Sequence, residues 1–140
     1  MTTQRMLTAM ILSLILIVLG LAKAQFNFTT IDVTCPNDPT RMITSTAAHG
    51  NSAYEIAGEF DDEDGTHGFV LSKDGFTPID VPVEDAVLTS VNGISANGSL
   101  VGTYRVGDQF RAFFWSKVGF NTLNPPNSIR SQGGFLNAKS

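Results

Sequence analysis

Between residues 56 and 126 apolar side chains fall in short alternating runs rich in Val, Ile, Phe and Thr, separated by clusters of Gly, Asp, Asn and Lys. Period-two alternation bounded by turn residues predicts strands with one packed face and not helices. Strands are expected over 55–60, 68–72, 76–81, 87–91, 94–96, 100–104, 112–116 and 120–123, with earlier ones over 28–33 and 42–48. The hairpin turns fall at 61–66 and 105–110, the first containing Asp64-Gly65, and Asn97-Gly98 marks another. Such pairs suit the positive φ of tight hairpin turns. Lys73-Asp74-Gly75 and Lys117-Val118-Gly119 turn the chain again, so hairpins follow one another as a meander.

The strand pattern occurs twice. Residues 56–82, IAGEFDDEDGTHGFVLSKDGFTPIDVP, return 44 positions later as LVGTYRVGDQFRAFFWSKVGFNTLNPP without a gap. Gly58 matches Gly102, Phe69 matches Phe113, and Ser72-Lys73 and Gly75-Phe76 match Ser116-Lys117 and Gly119-Phe120. An FTxIDV segment also starts at Phe28, so segments of this type begin at 28, 76 and 120 and read as the first strand of successive units. A period of this size corresponds to one four-stranded blade or one pair of hairpins. The expected fold is all-β: tandem four-stranded antiparallel repeats forming an incomplete β-propeller-like array after an N-terminal signal helix. The expected division is a signal peptide over 1–24, unit one over 25–75, unit two over 76–119 and a partial third unit over 120–140.

Ahead of the repeats, Arg5 precedes an uncharged run of 17 residues, 6–22, which ends in Ala22-Lys23-Ala24. A positive charge, an apolar core and a small-x-small box are the parts of a secretory signal peptide, cut here after Ala24. The protein is therefore expected to be secreted or periplasmic. The competing expectation is an N-terminal membrane anchor, since the run is only just short of a span and Lys23 sits inside the cleavage box. Without residues 1–24 the chain keeps seven Lys and Arg against thirteen Asp and Glu. That acidic balance repels phosphate backbones and anionic lipid, which argues against nucleic acid as a partner. Cys35 is the single cysteine, which excludes an intrachain disulfide and a Cys-rich zinc site.

The order FTxIDVP, then G-I-x-A-x-G-x-[IL]-V-G-x-Y, then [HR]-[AG]-F resembles the probable extracellular repeats of the HAF family, named for a His-Ala-Phe triplet. The triplet stands here as His67-Gly68-Phe69 and Arg111-Ala112-Phe113, and the middle element runs from Gly93 to Tyr104 with Ser95 where the family has Asn. The resemblance covers nearly all of residues 26–126 and implies a secreted, propeller-like β-repeat module of bacteria or archaea, with no known reaction. The chain departs from the pattern at 49–54 and again after Pro126.

Candidate chemistry is sparse. Asp61, Asp62 and Asp64 ahead of Gly65 resemble a calcium loop, but an alternating ligand set would need an acid where Phe60 stands, and the second copy offers Arg105-Val106-Gly107-Asp108. A solvated hairpin tip is the plainer reading. An imidazole can serve as a metal ligand or general base, which makes His67 a candidate, yet its repeat counterpart is Arg111, a swap that suits hydrogen bonding or covering an aromatic. His49 has no ligand partner at zinc spacing. Gly93-Ile94-Ser95-Ala96-Asn97 approaches GxSxG but ends in Asn and lacks the strand-to-helix turn of a nucleophile elbow. The repeated Phe69 with Phe113 and Phe76 with Phe120 read as core ahead of a sugar-stacking surface. The expectation is a structural or binding module with no catalysis and no cofactor; carbohydrate or another protein is the candidate partner, and self-association through an incomplete repeat edge is a further one. The alternative is a set of blades from a secreted polysaccharide hydrolase or lyase. Mass spectrometry of the exported chain is expected to place its N-terminus at Gln25; retention of Met1 would identify an anchor instead.

Overall fold

The computed structural model describes residues 27–31, 33–34, 38 and 40–136, and every regular element among them is a strand. In chain order these are β1 (Ser45–Asn51), β2 (Ile56–Asp61), β3 (Thr66–Ser72), β4 (Gly75–Ile79), β5 (Ala86–Ile94), β6 (Leu100–Val106), β7 (Gln109–Ser116) and β8 (Gly119–Leu123). Strands β1 to β4 pair in sequence as one antiparallel meander, and β5 to β8 as another. A parallel bridge between Thr66 and Leu88 joins β3 to β5, so all eight strands belong to one open sheet.

The register of the two meanders is the same. Gly58 faces Phe69 as Gly102 faces Phe113, Phe60 faces His67 as Tyr104 faces Arg111, and Leu71 faces Phe76 as Trp115 faces Phe120. A feature the sequence comparison missed extends the match to the first strands. Both β1 and β5 bulge, at His49 between Ala48 and Gly50 and at Asn92 between Val91 and Gly93. His49 Nε2 lies 3.5 Å from Glu59 Oε1, and Asn92 Nδ2 donates to Thr103 Oγ1 at 3.3 Å, so each bulged side chain reaches the same place on its neighbouring strand. The offset there is 43 and not 44, because the turn after β1 is one residue shorter than the turn after β5.

Several expected boundaries change. The strand expected over 87–91 continues through the bulge to Ile94 as β5, and Ser95 and Ala96, expected as strand, belong to the β5–β6 turn. The strand expected over 42–48 starts later, at Ser45, and runs to Asn51. No strand forms over 28–31 or at Val33. The later copies of this segment, β4 and β8, pair with the strand just before them, and no such strand pattern precedes Phe28. Among the described residues no strand pairs with 28–31 or Val33, so the segment joins no ladder there. The FTxIDV segment thus closes a meander where it was expected to open one. Residues 1–24 and Cys35 lie outside the described residues.

Alternation divides each meander into two faces. One face of the first carries Phe60, His67, Phe69 and Phe76, whose rings pack with centroids 5.2–5.5 Å apart. The other carries Ala57, Gly68, Val70 and Ile79, and this is the face that meets the second meander. Ala57, Val70 and Ile79 share one core cluster with Val91, Leu100, Tyr104, Phe113, Trp115 and Phe120. By the common register, Tyr104, Phe113 and Phe120 occupy the face equivalent to Phe60, Phe69 and Phe76. The units therefore stack in the same sense, one face on the opposite face of the next.

The segment after β8 continues this series without forming a strand. Ser131 N donates to Phe110 O at 3.0 Å, and Phe110 is the counterpart of Thr66, which bridges to β5. Ser131 Oγ accepts from Ala112 N, Gly133 N donates to Gly102 O at 3.1 Å, and Asn92 Nδ2 donates to Gly133 O at 2.6 Å. Ser131 to Leu136 thus takes, against the second meander, the place that β5 takes against the first.

At Gly58 a β-carbon would overlap the carbonyl oxygen of Ala47 and press on the Phe69 ring; at Gly102 it would overlap Ser90 O and press on Phe113. Gly58→Ala and Gly102→Ala are each expected to lose about 1–3 kcal/mol in urea unfolding, the usual cost of overpacking a closed site.

Candidate functional site

The densest polar constellation stands at the β2–β3 turn of the first meander. Arg41, from the chain leading into β1, brings its Nε to 2.5 Å from Asp62 Oδ2 and its Nη2 to 2.8 Å from Asp64 Oδ2. His67, the first inward residue of β3, lies with Nε2 3.2 Å from Asp62 Oδ1 and 3.3 Å from Arg41 Nη2, while Nδ1 lies 2.8 Å from Asp80 Oδ1. Its ring stacks on Phe60 at 5.2 Å and 27°. The turn forms because Asp61 Oδ1 accepts from Thr66 Oγ1, Asp62 Oδ1 accepts from Asp64 N, and Asp62 N donates to Gly65 O.

The Asp62 side chain has no solvent exposure. Burial pushes its carboxyl up, but hydrogen bonds from Arg41 and the Asp64 amide, with the charges of His67 and Arg41, outweigh burial and hold it below its ordinary 3.8. Of the residues considered for calcium, Asp62 and Asp64 converge on the guanidinium of Arg41, and Asp61 is turned to Thr66. Among the described residues no group of three or more His, Cys, Asp or Glu is placed to hold a metal ion.

The second copy keeps the scaffold and changes the chemistry. Arg111 replaces His67 and donates to Asn124, the counterpart of Asp80, and to Gln109 and the Ser128 carbonyl. The other candidate residues are structural in place. Ser95 is buried, and its Oγ donates to Asn97 Oδ1 at 2.5 Å and accepts from Ser99 N, which fixes the β5–β6 turn. Gly68 and Ala112 sit in the unit-facing layer, and Phe69 and Phe113 are fully buried. His49 pairs with Glu59.

The opposite end of the sheet holds two clefts that sequence reasoning missed. One, of about 420 Å³, lies between the β1–β2 and β3–β4 turns and is lined by Ser52 to Glu55, Ser72 to Asp74 and Ala96. Another, of about 310 Å³, lies between the corresponding turns of the second meander, lined by Asn97, Ser99, Phe114, Ser116, Lys117 and Val118. The repeated Ser-Lys pair was visible in the sequence, but nothing there said that it would rim a concave surface. No family model, curated protein sequence or solved structure matches the chain.

Because the folded-state pKa of Asp62 is depressed, its ion pair contributes stability at pH values above 3.8 that is lost as pH falls through the folded value. Thermal melts between about pH 5 and pH 2 are expected to fall less steeply for Asp62→Asn than for the parent, with the variant the less stable at neutral pH. Parallel curves would contradict the assignment.

Proposed function

We propose that this chain is an exported module of HAF-type repeats, stacked in the propeller-like sense, with a structural or binding role and no catalysis of its own. The observation that carries the reading is how the repeated identity is used: most of its matching positions serve turns and packing, while the polar cluster around His67 is not kept, with Val106, Arg111 and Asn124 in the places of Asp62, His67 and Asp80. His67, the best candidate for acid–base work, supports it further. Its Nδ1 is engaged by Asp80; Nε2 accepts from Arg41 when unprotonated and donates to Asp62 when protonated. A general base needs a nitrogen within reach of the proton it removes, and both ring nitrogens already have protein partners.

The secreted polysaccharide hydrolase or lyase is the reading this one displaces, and a single variant separates them. His67→Arg installs the residue that the second copy carries, with Asp80 in place of Asn124 to receive it. The variant is expected to melt within about 4 °C of the parent, a change of roughly 1 kcal/mol or less in a domain of this size. Neither protein is expected to release reducing ends from polysaccharide. Release by the parent that His67→Arg abolishes would make His67 a catalyst and overturn the proposal.

A further inference from the structure

We propose that the two clefts at the β1–β2 end form consecutive subsites for one extended polysaccharide chain, an inference that rests on the binding reading above and gives it a ligand class. The clefts lie side by side: Ala96 walls the first and its neighbour Asn97 walls the second, so the β5–β6 turn is the ridge between them. Each is bounded by the same two turns of its own unit, which places similar chemistry in register from one to the next.

Tyr54 is 86% exposed at the first cleft, a large aromatic that no packing requirement accounts for. An exposed ring with a polar tip suits a ligand whose surface is apolar on one side and hydroxylated on the other, as a pyranose is. Beside it Glu55 presents a carboxylate acceptor, with Ser52 Oγ donating to its Oε2 at 3.2 Å, and Ser72 lines the same cleft. The recurring lysine also has no part in the fold. Ser72 and Ser116 are held by the turns, accepting from Asp74 N and Val118 N. Lys73, in contrast, touches only its exposed neighbour Asp74 in the described ion pairs, and Lys117 makes no hydrogen bond or ion pair among the described residues. A side chain kept at the same rim in both copies and free of structural duty is available to a ligand that itself repeats.

Two other linear ligands fit less well. An extended peptide is held by pairing with an open strand edge, and the clefts are made of turns. A nucleic acid would meet Glu55 and Asp74 beside the lysine in an acidic chain.

Affinity electrophoresis of the purified chain through gels containing xylan, mixed-linkage β-glucan, galactomannan or polygalacturonate tests the proposal. Retardation by at least one polymer is expected, with Tyr54→Ala weakening it about tenfold, as befits one lost stacking contact. Lys117→Ala is expected to weaken binding of the polymer while leaving a disaccharide of the same sugar, which fills one cleft, unaffected by NMR titration. Migration unchanged by all four polymers would overturn the proposal, as would retardation that both folded variants retain in full. Release of reducing ends in the same mixtures would instead contradict the non-catalytic reading, and a loss of binding in Tyr54→Ala would still locate the sugar.

Discussion

Gly68 has no side chain, and side chains of β5 pack into the space one would fill. A β-carbon there would come within 2.8 Å of Val91 Cγ2 and 2.9 Å of Ile79 O, so a larger residue would have to displace the Val91 side chain of the second meander and the β4 backbone of its own. The approach brings Ala57, Val70 and Ile79 against Val91 and the aromatic face of the following unit. Burying that cluster is the main gain available to a chain with no helix among its described residues. Gly68 is also the middle residue of the repeated triplet His67-Gly68-Phe69, which gives the small residue at that place a physical reason. Its counterpart Ala112 is small as well, and there the incoming segment bonds to the Ala112 amide through Ser131 Oγ.

Stacking in one sense has a consequence for the ends of the series. Each unit presents one face built on Phe69 or Phe113 and an opposite face with a small residue, Gly68 or Ala112, at the centre of its third strand. Against the second meander that surface receives Ser131 to Leu136, whose amides donate to Phe110 O and Gly102 O and which accepts from Ala112 N and Asn92 Nδ2. The bulge at Asn92 contributes directly, since the side chain it displaces from the ladder is the one that reaches Gly133 O. Among the described residues no helix is long and apolar enough to cross a membrane.

The architecture was legible because strand period and turn chemistry are local. Asp64-Gly65, Asn97-Gly98 and the glycines at 75 and 119 mark the hairpins, and the gapless repeat carried the register of β2, β3 and β4 onto β6, β7 and β8. What was not legible depended on contacts between distant residues. The strand expected over 28–33 had the right residues but, among the described residues, no strand pairs with it. The turn after β1, one residue shorter than the turn after β5, hid the kinship of the two strands, since it moves their alignment from 44 to 43 without leaving a motif. The site behaved the same way. His67 with Arg111 pointed to a hydrogen-bonding position, and Asp80 and Asn124 supply the partners; Arg41, 21 residues before Asp62, carried no signal that it would close the network. Tyr54 stood in a stretch that read as a degraded turn, and its exposure beside a cleft follows only from folding the two turns together.

The most direct test of the account is the set of nuclear Overhauser effects from the Gly68 α-protons. Stacking of one meander's small-residue face on the next places them beside the methyl groups of Val91 and Thr89, so strong cross-peaks to both are expected. Cross-peaks confined to strands β2 and β4, with the Val91 methyls contacting residues of their own meander only, would show that the units do not stack and would contradict the account.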